Sequence, residues 1–167
     1  MPKVKTELIL GIDPGTATTG YGLISKTGAQ LKMKQAGIIT TKASQQDQTR
    51  LQEINNQINQ LIKKLKPNRI AVEQLFFCNN AKSAMSVGMA RGVIILACAQ
   101  NNIKAEEFTP LQVKQALCGY GKASKKQIQI MVKNRLNLQQ LPQPDDLADA
   151  LAIAICSAQT KKNISKK

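Results

Sequence analysis

Leu8-Ile9-Leu10-Gly11-Ile12-Asp13-Pro14-Gly15 is apolar at successive positions, so neither face of the strand it forms meets water. That is the pattern of a central strand covered on both sides. An acid stands at its end, and Pro14-Gly15 then breaks it. Asp13 has two readings at this point. It can open the turn before Pro-Gly, as Asp often does, or it can sit on the floor of an active site at the edge of the sheet.

Working outward, Gly20-Tyr21-Gly22-Leu23-Ile24-Ser25 reads as a second strand and Leu31 to Thr41 as a third, with a turn at Gly28. Short connections make these three an antiparallel meander. Residues 45–50 are polar, a loop or helix start. From Leu51 the period changes: Leu51, Ile54, Ile58, Leu61, Ile62 and Leu65 share one helical face, which Pro67-Asn68 ends. Arg69-Ile70-Ala71-Val72-Glu73 is a short buried strand, again closed by an acid. Asn79 and Asn80 are candidate caps for a helix from Ala81 to Gln100, along which Ala81, Ala84, Gly88, Ala90 and Gly92 are small. Each Gly costs a helix about 1 kcal/mol against Ala, so this face should pack closely, on the sheet or on a second subunit. Ile103 to Phe108 forms the last short strand.

Thr109-Pro110 fits N-cap and N1 of a helix reaching Leu117, and Ser124 with Gln127 fits a capping box opening a helix to about Leu136. That helix buries Ile128, Val132 and Leu136. After Pro142 and Pro144, a final helix begins at Asp145-Asp146 and buries Leu147, Leu151, Ala154, Ile155 and Ala158, with Asp145 suited to the N-cap. The order predicts a mixed α/β sheet with helices on its faces. Residues 1–158 read as one domain and 159–167 as a basic tail, Lys161 to Lys167 being too polar to pack.

Charge and composition narrow the function. The net charge is +14, from 24 Lys and Arg against 10 Asp and Glu, which makes nucleic acid the natural partner. There is no His. That excludes a Ser-His-Asp triad, a Cys-His pair and an H-E-x-x-H zinc site, and leaves carboxylates with a hard cation as the equipment for hydrolysis. Cys78, Cys98, Cys118 and Cys156 are far apart and read as buried thiols of a cytoplasmic protein. No apolar run is expected to approach the ~20 residues of a membrane span.

Asp13 and Glu73 each end a buried strand, and neighbouring strands lie about 4.8 Å apart, so the two acids can share an ion. On the last helix, Asp146 and Asp149 are spaced i, i+3 and project from one side. Spacing alone does not choose between Asp145 and Asp146. Four gathered carboxylates repel unless cations lie among them, and two Mg²⁺ ions would neutralise them and activate a water for phosphodiester attack.

The chain resembles the RuvC family of Holliday junction resolvases. The matching stretches are Gly11-Ile12-Asp13-Pro14-Gly15 with Gly20-Tyr21-Gly22, then Ala71 to Phe76, Ala90-Arg91-Gly92, Val113-Lys114-Gln115, Gly119-Tyr120-Gly121 and Asp146 to Ala152, in family order across about residues 7–158. The resemblance implies a ribonuclease H-like fold, in which three antiparallel strands are followed by parallel ones. It implies a homodimer that cuts four-way DNA junctions with Mg²⁺ or, in its place, Mn²⁺, two ions per subunit being expected. It further implies paired nicks in strands of like polarity, in recombination and repair, beside the RuvA and RuvB branch-migration proteins. The family's catalytic, metal-holding acids fall on Asp13, Glu73, Asp146 and Asp149, which makes Asp145 the extra acid. Its junction-unstacking aromatic falls on Phe76, with Phe77 the other candidate for an exposed ring. Lys114 and Lys125 match basic residues used near the site and DNA. Lys126 joins them at a helix N-terminus, and Arg91 is a further DNA-binding candidate that could instead pair internally.

Overall fold

The computed structural model describes residues 5–74 and 81–160. Strands β1 (Thr6–Asp13), β2 (Thr18–Thr27) and β3 (Gln30–Thr40) form the expected meander. Strands β4 (Arg69–Glu73) and β5 (Ala105–Phe108) extend the sheet in parallel from the other side of β1. The order β3-β2-β1-β4-β5 puts β1 in the middle, and Ile9, Leu10 and Ile12 are fully buried.

Period-2 alternation sorts the strand residues onto two faces. Leu10, Ile12, Ile70 and Val72 pack with Ile54, Ile58 and Ile62 of α1 (Asp47–Leu65) and with Ala90 and Ile94 of α2 (Ala81–Gln100). Ile9 and Ala71 face the other way, onto Leu151 and Ile155 of α5 (Asp145–Gln159). Helix α3 (Pro110–Cys118) and helix α4 (Lys125–Leu136) close over α5 through Val113, Leu117, Ile128, Val132 and Leu136. Both predicted caps are present: Thr109 with Gln112 on α3 and Ser124 with Gln127 on α4 form reciprocal capping boxes.

Several expectations need correction. Helix α5 is buried on almost every side from Ala150 to Ala158, because the sheet lies beneath it and α3 and α4 above; Leu147 is only half-buried. Its N-cap is Pro144, which arrives extended, so Asp145 takes the first helical position and its carboxylate does not cap the backbone. Strand β5 starts at Ala105, since Asn102 turns left-handed (φ 56°) and Ile103 N–H still bonds to the Cys98 carbonyl of α2. Helix α2 also breaks the expectation about apolar runs. Ser83–Gln100 is long and apolar enough, by length and composition, to cross a membrane, and only 22% of that window is buried. Met85 and Leu96 are exposed on it, and a Cβ at Gly92 would meet nothing, so Gly92 does not serve packing on the sheet. Cys98 and Cys156 are buried free thiols, with burial pushing each up to about 11, whereas Cys118 is half-buried. Cys78, the expected caps Asn79 and Asn80, and Lys161 to Lys167 lie outside the described residues.

Candidate active site

The parallel register pairs Ile12 with Val72, so Asp13 and Glu73 follow side by side at the ends of β1 and β4. Since Ile12 and Val72 face α1 and α2, alternation turns both acids toward α5. Three glycines then bring α5 down onto the sheet. A Cβ at Gly11 would lie 2.1 Å from the Ala150 carbonyl oxygen, one at Gly20 would lie 2.0 Å from that of Asp146, and one at Gly22 would lie 2.6 Å from the Leu151 side chain. Gly20 is also the cross-strand partner of Asp13, so the first turn of α5 rests directly beside that acid. From Gly11 to Asp13 the strand advances about 7 Å. From Ala150 back to Asp146 the helix covers about 6 Å. Strand and helix therefore keep step, and Asp146 and Asp149 reach the end of the sheet where Asp13 and Glu73 stand.

The electrostatics register this gathering. Burial, then Glu73, Asp149 and Asp146 in turn, push the Asp13 carboxyl up to about 8, with Lys125 opposing. Burial and Asp149 raise Glu73 to about 7 against the pull of Lys114 and Lys125. Asp149 is raised by burial, with Lys125 opposing and Asp145 and Asp146 adding to the rise. Asp13, Glu73 and Asp149 thus resist ionisation, through burial first and their neighbours second. Among the described residues no three acids close on one point as a finished metal cage. The donor set is all carboxylate oxygen, which suits a hard divalent ion, and side-chain rotation would have to draw the acids onto it.

Two openings flank the acids. A cleft of about 350 Å³ is lined by Glu73, Asp149, Lys114, Lys125, Pro110, Val113, Ile128 and Ala152. On the other side, a groove of about 500 Å³ runs past Asp146 between the Gly15–Thr18 turn and Ser83, Ser86 and Val87 of α2. The hydroxyls of Thr16 and Ser86 bond to each other across it. Lys114 is half-buried in the cleft, while Lys125 and Lys126 are exposed at the start of α4. No acid shares that first turn, so two cations sit where the helix dipole disfavours them. Lys125 lies 3.7 Å from Asp145 of α5. Arg91 is held inside the chain: its guanidinium ion-pairs with Glu107 of β5, and its Nε is buried without a hydrogen-bond partner. Phe76 and Phe77 lie outside the described residues.

Sequence reading missed the three glycines as the device that seats α5. Their signal was there, in small residues set within otherwise apolar buried strands. It also missed the contact between Asp145 and α4, which joins residues far apart in sequence.

The five-stranded mixed sheet with its two helical layers is the ribonuclease H-like fold, here with an acid-lined cleft at the strand ends. The family model described as crossover junction endodeoxyribonuclease RuvC matches residues 9–157, and the chain belongs to that family of nucleases. A relative of that description from Desulfitobacterium hafniense is 53% identical over 153 residues, covering 92% of this chain and 93% of its own. One from Natranaerobius thermophilus is 49% identical over 152 residues, covering 91% and 94%. Among solved structures, Thermus thermophilus RuvC in complex with Holliday junction substrate aligns with a TM-score of 0.86 at 32% identity, over 91% of this chain and 93% of that one.

Proposed function

We propose that this chain resolves four-way DNA junctions by hydrolysing a phosphodiester at the acid-lined cleft, with Asp13, Glu73, Asp146 and Asp149 as the catalytic, metal-holding residues. The observation that carries the reading is the convergence of two strand-end acids with two acids of α5, where burial and then the neighbouring carboxylates raise the proton affinity of Asp13, Glu73 and Asp149. A divalent ion, Mg²⁺ or in its place Mn²⁺ and with two ions per subunit expected, would lower the pKa of the attacking water and offset charge on the phosphate.

The chain's own residues do the rest. Lys114 and Lys125 supply positive charge on one side of the acids, while the groove by Asp146 offers neutral hydroxyls on the other. A strand laid across both would present one phosphate to the acids. Lys125 and Lys126 at the α4 N-terminus favour a second phosphate, which would relieve their conflict with the helix dipole. Arg91, occupied by Glu107, supports the shape of the α2–β5 junction in this reading more than it reaches DNA. Phe76 is the expected wedge for unstacking the junction.

The exposed apolar side of α2, with Met85, Leu96 and the open Gly92, fits a second copy of the chain. A two-fold dimer would set two equivalent clefts against strands of like polarity, the geometry that paired symmetric nicks require. The RuvA and RuvB proteins are the partners the resemblance implies, and a cytoplasmic setting is the expectation from the scattered free thiols. The domain is taken as residues 1–158, with the basic tail adding charge.

A nicking assay on a synthetic four-way junction tests this, with linear duplex as control and each run in Mg²⁺ and in EDTA. Paired nicks on the junction alone, and only with Mg²⁺, are expected. Nicks that persist in EDTA, or equal cutting of the duplex, would overturn the reading.

A further inference from the structure

Asp145 is the acid that the family resemblance leaves without a role, and the fold supplies it with two partners. Its carboxylate faces the opening of α4: Oδ1 accepts a hydrogen bond from Gln129 Nε2 at 2.8 Å, and Oδ2 lies 3.7 Å from Lys125 Nζ. Lys125 and Gln129 are spaced i, i+4, so one face of α4 is tied to the first residue of α5. Lys125 also lines the cleft with Glu73 and Asp149. Its charge opposes protonation of Asp13, Glu73 and Asp149. A long, flexible ammonium therefore stands between one acid at the rim and several inside. The Lys125 and Asp145 side chains are 73% and 58% exposed, so their pairing adds little to stability. What it sets is where the ammonium stays.

We propose that Asp145 is a positioning residue that holds the Lys125 ammonium at the rim of the cleft, so that a divalent ion and not Lys125 neutralises the acids within. This rests on the metal-dependent reading above. With Asp145 neutral, the Lys125 side chain is free to turn inward and compete with the ion. Held at the rim, the same ammonium stands where an incoming phosphate can take over the place of the Asp145 carboxylate.

The test is Mn²⁺ affinity by titration calorimetry on the full chain, for the parent, Asp145→Asn, Lys125→Gln and the double variant. Urea midpoints taken alongside establish that each is folded. Asn keeps an acceptor for Gln129 and removes only the charge. Asp145→Asn is expected to weaken Mn²⁺ binding about threefold, the scale of an exposed ion pair. In the Lys125→Gln background it should change almost nothing, and Asp145→Glu should bind as the parent does. Asp145 also raises the proton affinity of Asp149, so its own charge could attract a cation directly. In that case the loss would be equal in both backgrounds, and the inference would be overturned, as it would by no loss in either. A folded parent that binds no Mn²⁺ would bring down the metal reading itself, an outcome distinct from a background-independent loss.

Discussion

At the end of the sheet where β4 begins, Glu7 of β1 and Glu106 of β5 flank Arg69, whose side chain is 5% exposed. The guanidinium forks onto Glu106 at 2.7 and 2.8 Å, donates to the Ser157 carbonyl of α5 at 2.7 Å, and lies 3.6 Å from Glu7. The Ser157 hydroxyl completes the set with a 2.7 Å bond to Glu106. At the opposite end of the same strands, Asp13 and Glu73 meet Asp146 and Asp149, and the cations in reach, Lys114 and Lys125, line the cleft wall. Arg69 is the one buried Lys or Arg among the described residues. One scaffold thus carries two groups of acids, one neutralised from within and one left to be neutralised from outside. The first group ties β1, β4, β5 and α5 together. The second carries a cost of burial and repulsion that a bound cation would offset.

The sharpest way to break this comparison is to remove a charge from each end. Arg69→Met leaves Glu106 and Glu7 without their cation and leaves the Ser157 carbonyl only the Thr160 N–H as donor. A loss of about 3–5 kcal/mol is expected, as for one partner taken from a buried pair, read as a fall in the urea midpoint. Asp13→Asn should leave that midpoint unchanged or raised, because it relieves repulsion, while nicking of a four-way junction is lost. Equal falls in midpoint for the two variants would mean that the two ends are alike after all.

A smaller effect is expected where α5 meets the sheet. Gly20→Ala places a methyl against the Asp146 backbone, which has no flexible side-chain end to yield. The helix must lift, at about 1–3 kcal/mol for an overpacked site, and Asp146 moves away from Asp13. Junction cutting should fall more than stability does, and activity intact at parental level would show that α5 is not seated through this contact. The glycine's role also marks the limit of what was legible in the sequence. Strands, helix faces, the Thr109 N-cap and the Ser124–Gln127 capping box follow from local periodicity and side-chain chemistry, so they could be read directly. Asp13 and Glu73 could be paired because each visibly ended an apolar run. Which acid of α5 joins them depends on how that helix sits against β2, a contact between residues more than a hundred positions apart. The family resemblance supplied Asp146, and spacing did not. The N-cap was misread for a related reason, because Asp145 looks outward to α4 and not to its own backbone.

The finest probe of the comparison is pH, since the chain has no histidine to titrate between the carboxylates and the thiols. Below the ordinary values of 3.8 for Asp and 4.5 for Glu, the acids are protonated both folded and unfolded, and the cleft costs nothing. As pH climbs toward about 7 for Glu73 and about 8 for Asp13, the unfolded chain has released protons that the folded chain keeps. The unfolded state then binds fewer protons, so stability falls with rising pH. The Tm of the metal-free protein should drop on the order of 5 °C across this window, the equivalent of 1–2 kcal/mol for a chain of this length. Mg²⁺ competes with those protons, so it should raise Tm more at the upper end of the window than at the lower. In Asp13→Asn both the slope and the Mg²⁺ response should shrink, whereas Glu106→Gln, at the neutralised end, should leave the slope in place. A metal-free Tm that rises through the window would mean that burial and the neighbouring acids do not hold protons on Asp13 and Glu73 as their placement requires.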